Sequence, residues 1–100
     1  MEMFKVFHAL ADDRRHQILE WLKDPKAHFP PSAGGDPVKD GVCARSIADK
    51  LGISQSTLGD HMRVLAAVGL IQAKRTKKSA FYKRNEPEIR KFKKVVDSEI

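Results

Sequence analysis

The sequence predicts a mainly α-helical protein with a small β-hairpin, and three observations lead to this fold class. Apolar residues recur at helical spacing in several separate segments of the 100-residue chain. A glycine, with a serine two residues later, separates two of those segments, and a basic segment with β-forming residues precedes the last one. With 41% hydrophobic residues the chain can bury one small core. We therefore expect a single domain over residues 1–100.

Two amphipathic helices are expected at the N-terminus. The first is predicted over residues 2–11, and its apolar stripe consists of Met3, Val6, Phe7 and Leu10. Asp12 or Asp13 is suited to cap the second helix, which continues to about Lys23. Because positive charge opposes the helix dipole at an N-terminus, Arg14 or Arg15 is expected to meet an anionic group. A carboxylate of the protein is preferred over a phosphate.

Residues 24–41 are expected to interrupt the helices with a long loop. They contain four of the five prolines and three of the six glycines, a composition that excludes a helix or a long strand. Phe29 is the only aromatic residue in this segment, and we expect it to fix the loop to the core. A tolerated insertion is the preferred interpretation, and a lid or a partner-binding loop is the alternative.

Two helices separated by a short turn form the most informative segment. A helix is predicted over Ala44–Leu51, Gly52 suits its end, and Ser54 suits the N-cap of a second helix that reaches about residue 68. The stripe that the second helix buries is expected to contain Leu58, Met62, Leu65 and Gly69. Its opposite side shows Ser56, Thr57, Asp60, Arg63 and Ala67. This order is typical of a helix-turn-helix, whose second helix fits the DNA major groove; an ordinary pair of helices is the alternative.

A basic hairpin and a final helix follow. Strands are predicted over residues 70–76 and 80–84, and Val42-Cys43 is predicted to form a short strand upstream. The hairpin carries six cations and no acid, namely Lys74, Arg75, Lys77, Lys78, Lys83 and Arg84. Pro87 suits the first turn of a C-terminal helix within residues 86–100. The apolar stripe of that helix either packs on its own domain or forms a dimer seam.

Helices, helix-turn-helix, basic hairpin and helix are the order of a winged helix-turn-helix, in which the hairpin, or wing, lies along DNA beside the recognition helix. The net charge of +6 also favours a polyanion, so double-stranded DNA is the expected partner. The candidate contacts of the recognition helix are Ser54, Gln55, Ser56, Thr57, Asp60, His61 and Arg63, and those of the wing are Lys74, Arg75, Lys77 and Lys78. His61 either contacts phosphate or packs beside Leu58 and Leu65. A winged helix that binds another protein is the alternative function.

Three segments together resemble one known family. The first reads Phe7-His8-Ala9-Leu10-Ala11-Asp12-Asp13-Arg14-Arg15-His16-Gln17-Ile18-Leu19. The second runs from Ile47 to Leu58 and continues with His61-Met62-Arg63-Val64-Leu65, and the third is Gly69-Leu70-Ile71 with Tyr82. These segments resemble the ArsR/SmtB family of bacterial repressors, and the resemblance covers nearly the whole chain except residues 24–41.

The resemblance implies a sequence-specific transcriptional regulator that acts as a homodimeric repressor on a palindromic operator. It also implies a dimer seam formed by the first and last helices, with candidate residues Met3, Phe4, Phe7, Ile89, Phe92 and Val96. Gly59 and Asp60 depart from the family, which often has a serine and then a neutral or basic residue there. An acid facing DNA repels phosphates, although it can accept a hydrogen bond from cytosine.

Metal sensing, common in this family, is not expected here. The family's Cys-x-Cys pair is represented by Cys43-Ala44-Arg45, which keeps one thiol, and the last helix offers Asp97 without a histidine. Cys43 is expected to be a small buried residue; a redox switch at Cys43, or ligand gating through the 24–41 loop, is the alternative. We expect no cofactor and no enzyme activity, and the sequence identifies no inducer. The single cysteine and the lack of a long apolar segment favour a cytoplasmic protein rather than a membrane protein.

Overall fold

Six helices and three strands make up the computed structural model, which describes residues 2–30 and 36–100. The expected loop over 24–41 therefore lies partly outside the described residues. The helices are α1 (Met3–Leu10), α2 (Asp13–Lys23), α3 (Pro25–His28), α4 (Ala44–Leu51), α5 (Gln55–Ala67) and α6 (Glu86–Glu99). The strands are β1 (Val42–Cys43), β2 (Ile71–Arg75) and β3 (Ala80–Arg84). The prediction of a mainly helical chain with a small hairpin is confirmed.

The core is built around the apolar stripe of α5. Leu58, Met62 and Leu65 are almost completely buried, as the helical spacing predicts. Helix α5 ends at Ala67, so Gly69 lies in the turn after the helix rather than on its stripe. Ile18 of α2, among other apolar side chains from every long helix and from the sheet, belongs to the same buried cluster.

Gly52 makes the turn between α4 and α5, as predicted. Its φ of 71° lies in the left-handed region, where a glycine meets no steric penalty. The backbone N–H of Gly52 donates to the carbonyl of Asp49, and the N–H of Ile53 donates to the carbonyl of Ala48. These bonds satisfy carbonyl groups that the end of α4 leaves without helical partners.

The sheet has the order β1-β3-β2, and both pairs of strands are antiparallel. Tyr82, buried at the centre of β3, is opposite Val42 on one side and Ala73 on the other. The short strand β1 therefore attaches the chain segment before α4 to the hairpin. Strand β1 leads directly into α4 and the recognition helix α5, and β2 and β3 form the wing, so both parts are connected to the same sheet.

The segment after α2 contains a short helix, which corrects the expectation that no helix forms in residues 24–41. Pro25 occupies the first turn of α3, where a proline needs no N–H partner. The N–H of Phe29 closes the turn by donating to the carbonyl of Pro25. Phe29 is buried, which agrees with its expected role, and it meets Trp21 edge to face with ring centroids 6.1 Å apart. The ammonium group of Lys50 lies 5.1 Å from the Trp21 ring and thereby joins this contact to α4.

The end of the same loop packs against the wing. Lys83 on β3 donates to the carbonyl of Lys39 over 3.4 Å. Gly41 has a φ of 93° and lies directly against the backbone of Tyr82, because a Cβ atom on Gly41 would be only 2.9 Å from the Tyr82 carbonyl oxygen. A glycine is thus required both by the backbone angle and by the close approach of two chain segments.

Helix α2 begins with a side-chain cap. The carboxylate of Asp12 accepts hydrogen bonds from the backbone N–H groups of Arg14 and Arg15, at 2.9 and 3.1 Å. The Arg15 N–H is the main cause that lowers the pKa of Asp12; burial opposes it, and the Arg14 N–H adds to it. The sequence predicts a cap at Asp12 or Asp13, and Asp12 provides it.

Helix α6 begins as predicted, with Pro87 in its first turn and the Asn85 side chain accepting from the Glu88 N–H. Ile89 and Phe92 pack into the core of the chain itself. None of the helices in residues 2–30 and 36–100 combines the length and the apolar composition needed to cross a lipid bilayer.

Replacing Gly41 with alanine is expected to destabilise the fold more than the same replacement at Gly52. Both substitutions place a side chain at a positive φ, but only the Cβ at position 41 overlaps a backbone atom, whereas nothing lies within 4 Å at position 52. Because of this overlap, Gly41→Ala should lower the free energy of unfolding by about 1–3 kcal/mol more than Gly52→Ala does. Urea unfolding of both variants measures the difference, and equal losses would contradict the close approach described here.

Removing the Asp12 carboxylate is expected to destabilise the protein in a pH-dependent way. Asp12→Ala should lower the free energy of unfolding by about 1 kcal/mol at pH 7, because two N–H groups lose their acceptor. Since folding depresses the pKa of Asp12, its contribution is present above the ordinary value of 3.8 and is lost as the pH falls through the lower folded value. Urea unfolding between pH 7 and pH 3 should show the difference from wild type shrinking. Asp13→Ala, which removes an exposed acid from the same turn, is the control, and a difference that stays constant with pH would refute the cap.

Candidate nucleic-acid interface

The recognition helix α5 begins with two side chains that fix its first turn. The hydroxyl oxygen of Ser54 accepts from the Thr57 backbone N–H at 3.0 Å, and the Ser54 hydroxyl donates to the Thr57 hydroxyl oxygen at 3.0 Å. Gln55 and Ser56 are exposed in the same turn. The predicted N-cap is confirmed, and the first turn presents short polar groups at a rigid helix end.

The exposed face of α5 carries one ion pair. The guanidinium of Arg63 bonds the Asp60 carboxylate one turn earlier, and both side chains are about two-thirds exposed. A pair so exposed stabilises a helix by less than about 1 kcal/mol, so it can be exchanged for another partner at little cost. Gly59 lies beside the Arg63 guanidinium: a Cβ atom on Gly59 would be 3.6 Å from the Arg63 Nη1 atom. Because glycine has no Cβ, this space next to Arg63 stays open.

The wing ends in an ordered turn that carries two lysines. The Thr76 hydroxyl oxygen accepts from the backbone N–H groups of Lys78 and Ser79, at 3.4 and 3.1 Å. The Thr76 N–H donates to the Ser79 carbonyl at 2.8 Å. Lys77 and Lys78 therefore extend from a turn that is held by its own hydrogen bonds, and both are exposed.

A cleft of about 330 Å³ lies between the recognition helix and the wing. Gln55, Gly59 and Arg63 line it from α5, and Arg75 and Lys78 line it from the wing. Two groups of candidates that are far apart in the sequence thus meet at one surface. Three cations around a polar cleft suit a bound anion such as a phosphate of a nucleic acid.

The remaining wing cations do not all face this cleft. Lys74 lies on the other side of the hairpin, beside Phe81 and Asp40, because neighbouring residues of a strand point to opposite faces. Lys83 is directed toward the loop. The prediction of a strip of six cations is wrong at Arg84, whose guanidinium donates to the Leu19 carbonyl at 3.2 Å and pairs with Glu86.

Arg15 and His61 occupy places that sequence reasoning did not assign. The Arg15 guanidinium donates to the carbonyl oxygens of Ala9, at 2.6 Å, and His8, at 3.3 Å. Its Nη1 atom lies 3.3 Å from His61 Nδ1. An anionic partner is expected for Arg14 or Arg15; the Arg15 side chain instead bonds carbonyl groups at the end of α1, and for Arg14 the expectation stays a prediction. His61 Nδ1 faces Arg15, a neighbour that the sequence does not predict, while its contact with phosphate and its packing beside Leu58 and Leu65 stay predictions.

Cys43 is half-buried at the start of α4. Its Sγ atom lies 3.1 Å from the Ser46 hydroxyl oxygen. Among the residues that the structure describes, no three His, Cys, Asp or Glu side chains gather as ligands for a metal ion. The geometry at Cys43 fits a hydrogen-bonded residue at a helix end.

The candidate dimer residues differ in burial. Ile89 and Phe92 are buried in the core of the chain itself, whereas Met3, Phe7 and Val96 are only partly buried. Phe4 is 70% exposed and contacts Phe7 edge to face, with ring centroids 6.3 Å apart. Val95 on α6 and Ile100, the residue after α6, are also exposed apolar side chains. The apolar surface on α1 and α6 is therefore formed by residues around the buried pair.

Comparison with known proteins connects this geometry to a family. The model of bacterial regulatory proteins of the arsR family matches residues 41–73, which cover the helix-turn-helix and the start of the wing. The uncharacterized HTH-type transcriptional regulator YbzH of Bacillus subtilis (strain 168) is 44% identical over 100 residues, covering the whole of both chains.

Two solved structures share the fold. A homodimeric winged helix-turn-helix DNA-binding domain from Mycobacterium bovis, a possible ArsR-family regulator, is 28% identical; the match covers 95% of this chain and 77% of that one, with a TM-score of 0.62. An ArsR-like regulator from Rhodococcus sp. RHA1 is 24% identical; the match covers 96% of this chain and 74% of the Rhodococcus chain, with a TM-score of 0.68. The predicted winged helix-turn-helix fold is confirmed. The relatives are transcriptional regulators, as expected for a chain that is not an enzyme. This chain belongs to the ArsR family of bacterial, DNA-binding transcriptional regulators.

Proposed function

We propose that this chain is a homodimeric repressor that binds a palindromic operator through α5 and the wing. The observation that carries the proposal is the cleft in which Arg63 of the recognition helix meets Arg75 and Lys78 of the wing. A helix in the major groove and a wing on the adjacent backbone need their cations on one continuous surface.

Two kinds of contact have different roles in this proposal. Gln55, Ser56 and Thr57 at the start of α5 reach base edges, where amide and hydroxyl groups distinguish base pairs. The cations of the wing neutralise phosphates, which gives affinity without sequence information. Arg63 exchanges its pairing with Asp60 for a phosphate or a base, and the cost is small because the pair is exposed. Lys74, on the other face of the hairpin, adds to the positive potential.

The homodimer is supported by the exposed apolar surface of α1 and α6. Phe4 and Ile100 are 70% and 87% exposed, and burial of such side chains favours association. The related domain from Mycobacterium bovis is described as homodimeric. In a two-fold dimer the two recognition helices are related by the same axis, and such an arrangement matches an operator with two inverted half-sites.

We infer that regulation does not depend on the metal sites known in this family. Arg45 stands where a second thiol would be needed, and a guanidinium cannot bind a cation. A protein-binding winged helix and a redox- or ligand-gated repressor are the alternatives, and the following measurement distinguishes the first two of these.

A fluorescence-anisotropy titration against DNA just upstream of the gene itself tests the proposal. At about 0.15 M salt, specific binding should exceed binding to random DNA by at least about a thousandfold, with two chains bound per operator. Binding that is equally weak for all sequences would instead favour a protein-binding module. A specific complex whose affinity changes with an oxidant in wild type but not in Cys43→Ser would favour redox gating.

Removing two wing cations is expected to weaken binding to all DNA sequences alike. Arg75→Ala combined with Lys77→Ala should reduce the slope of log affinity against log salt by about two, since each lost phosphate contact removes about 0.9. The matched control is Lys93→Ala combined with Lys94→Ala, which removes the same charge from exposed positions of α6. If the control changes the slope as much as the wing variant does, net charge rather than the wing determines binding.

A further inference from the structure

Three elements meet at the guanidinium of Arg15. Its Nε and Nη2 atoms donate to the carbonyls of Ala9 and His8, at the C-terminal end of α1. Its Nη1 atom lies 3.3 Å from Nδ1 of His61, on α5. Arg15 itself belongs to α2, whose start is capped by Asp12. One side chain therefore connects α1, α2 and the recognition helix, and we name the pair the Arg15–His61 latch.

The chemistry of the pair specifies the state of the histidine. A guanidinium only donates hydrogen bonds, so a hydrogen bond from Arg15 to His61 Nδ1 requires a neutral imidazole that carries its proton on Nε2. Protonation would place an N–H on Nδ1 and a second positive charge beside Arg15. The hydrogen bond would then be replaced by a repulsive contact between two donors.

We propose that Arg15 and His61 are positioning residues for DNA binding, which hold α5 against α1 and α2, and that protonation of His61 releases this contact and weakens operator binding. The proposal rests on the function proposed above. It adds that operator affinity falls when the solution is acidified from pH 8 to pH 5.5.

The position of His61 explains why the latch affects recognition. His61 lies in the second turn of α5, next to Asp60 and between the first-turn contacts and Arg63. Its side chain points toward α1 and α2, whereas Asp60 and Arg63 are exposed. A change of tilt at His61 therefore moves the residues on the exposed face relative to the wing. Hydrogen bonds between side chains and bases weaken when the donor–acceptor distance changes by a few tenths of an ångström.

Other charged groups near His61 act in known directions. The Asp12 carboxylate interacts electrostatically with both Arg15 and His61 and opposes the repulsion between them. Because its pKa is lowered, Asp12 stays ionised over the whole range from pH 8 to pH 5.5, so it contributes no pH dependence there. The side chain of His8, on the last turn of α1, is exposed, and only its backbone carbonyl joins the latch. The change with pH is therefore assigned to His61.

The first measurement uses the protein without DNA. Long-range proton–nitrogen NMR spectra distinguish the two neutral forms of a histidine ring, and at pH 8 His61 should carry its proton on Nε2. A proton on Nδ1 would overturn the proposal, because Arg15 would then face a second donor. This readout does not depend on the operator, so it separates failure of the latch from failure of the proposed function.

The second measurement is operator affinity as a function of pH at constant salt, by fluorescence anisotropy. Between pH 8 and pH 5.5 the wild-type protein should lose affinity by between about threefold and tenfold, as expected for one linked proton. His61→Gln should flatten this profile, because an amide oxygen can accept from Arg15 at every pH. His16→Gln, which replaces an exposed histidine on α2, is the control and should keep the wild-type profile.

Each outcome decides between the possibilities. The expected ring form together with a profile flattened only by His61→Gln supports the latch and its role. The expected ring form with an unchanged profile in His61→Gln overturns the role in DNA binding. The expected ring form in a protein that binds all DNA alike overturns the proposed repressor function, and with it any effect of the latch on an operator.

Discussion

Burial of one side of α5 is the constraint on which the rest of the structure depends. Leu58, Met62 and Leu65 are each no more than 1% exposed, and each contributes about 1.5–3 kcal/mol of stabilisation by leaving water. A helix fixed in this way cannot rotate about its axis without exposing that stripe. The opposite face, with Ser56 and Arg63, is therefore held toward solvent, and the wing, which follows α5 after a short turn, lies beside it.

Features set by neighbouring residues could be predicted from the sequence. The bounds of α4 agree with the prediction, because its apolar spacing and the following Gly52 are local signals. The same is true of the Ser54 cap. In each case the partner group lies within a few residues or within one repeating pattern. The short helix α3 departs from the prediction because prolines, which break a helix in its interior, are compatible with its first turn, where Pro25 stands.

Features that join distant segments could not be predicted in the same way. Arg84 donates to the carbonyl of Leu19, 65 residues away, and Arg15 reaches a side chain 46 residues away. Backbone carbonyls occur at every position, so a sequence carries no mark of which one an arginine will bind. Charge alone consequently overestimated the basic surface. The arginines of the cleft and the two arginines that join elements of the fold look alike in composition, and only their surroundings separate them.

Helix α1 contributes to both the proposed dimer surface and the contact with Arg15. One side carries the exposed Phe4, whose ring contacts Phe7, and Phe7 in turn meets Phe92 of α6 with ring centroids 5.6 Å apart. The C-terminal end of the same helix offers the carbonyls that Arg15 binds. Because a helix of eight residues is a short rigid rod, its two ends cannot move independently. In the proposed dimer, α1 therefore sets both the angle between the two subunits and the angle of each recognition helix. A change in the Arg15 contact that tilts the recognition helix would then also change the angle between the subunits.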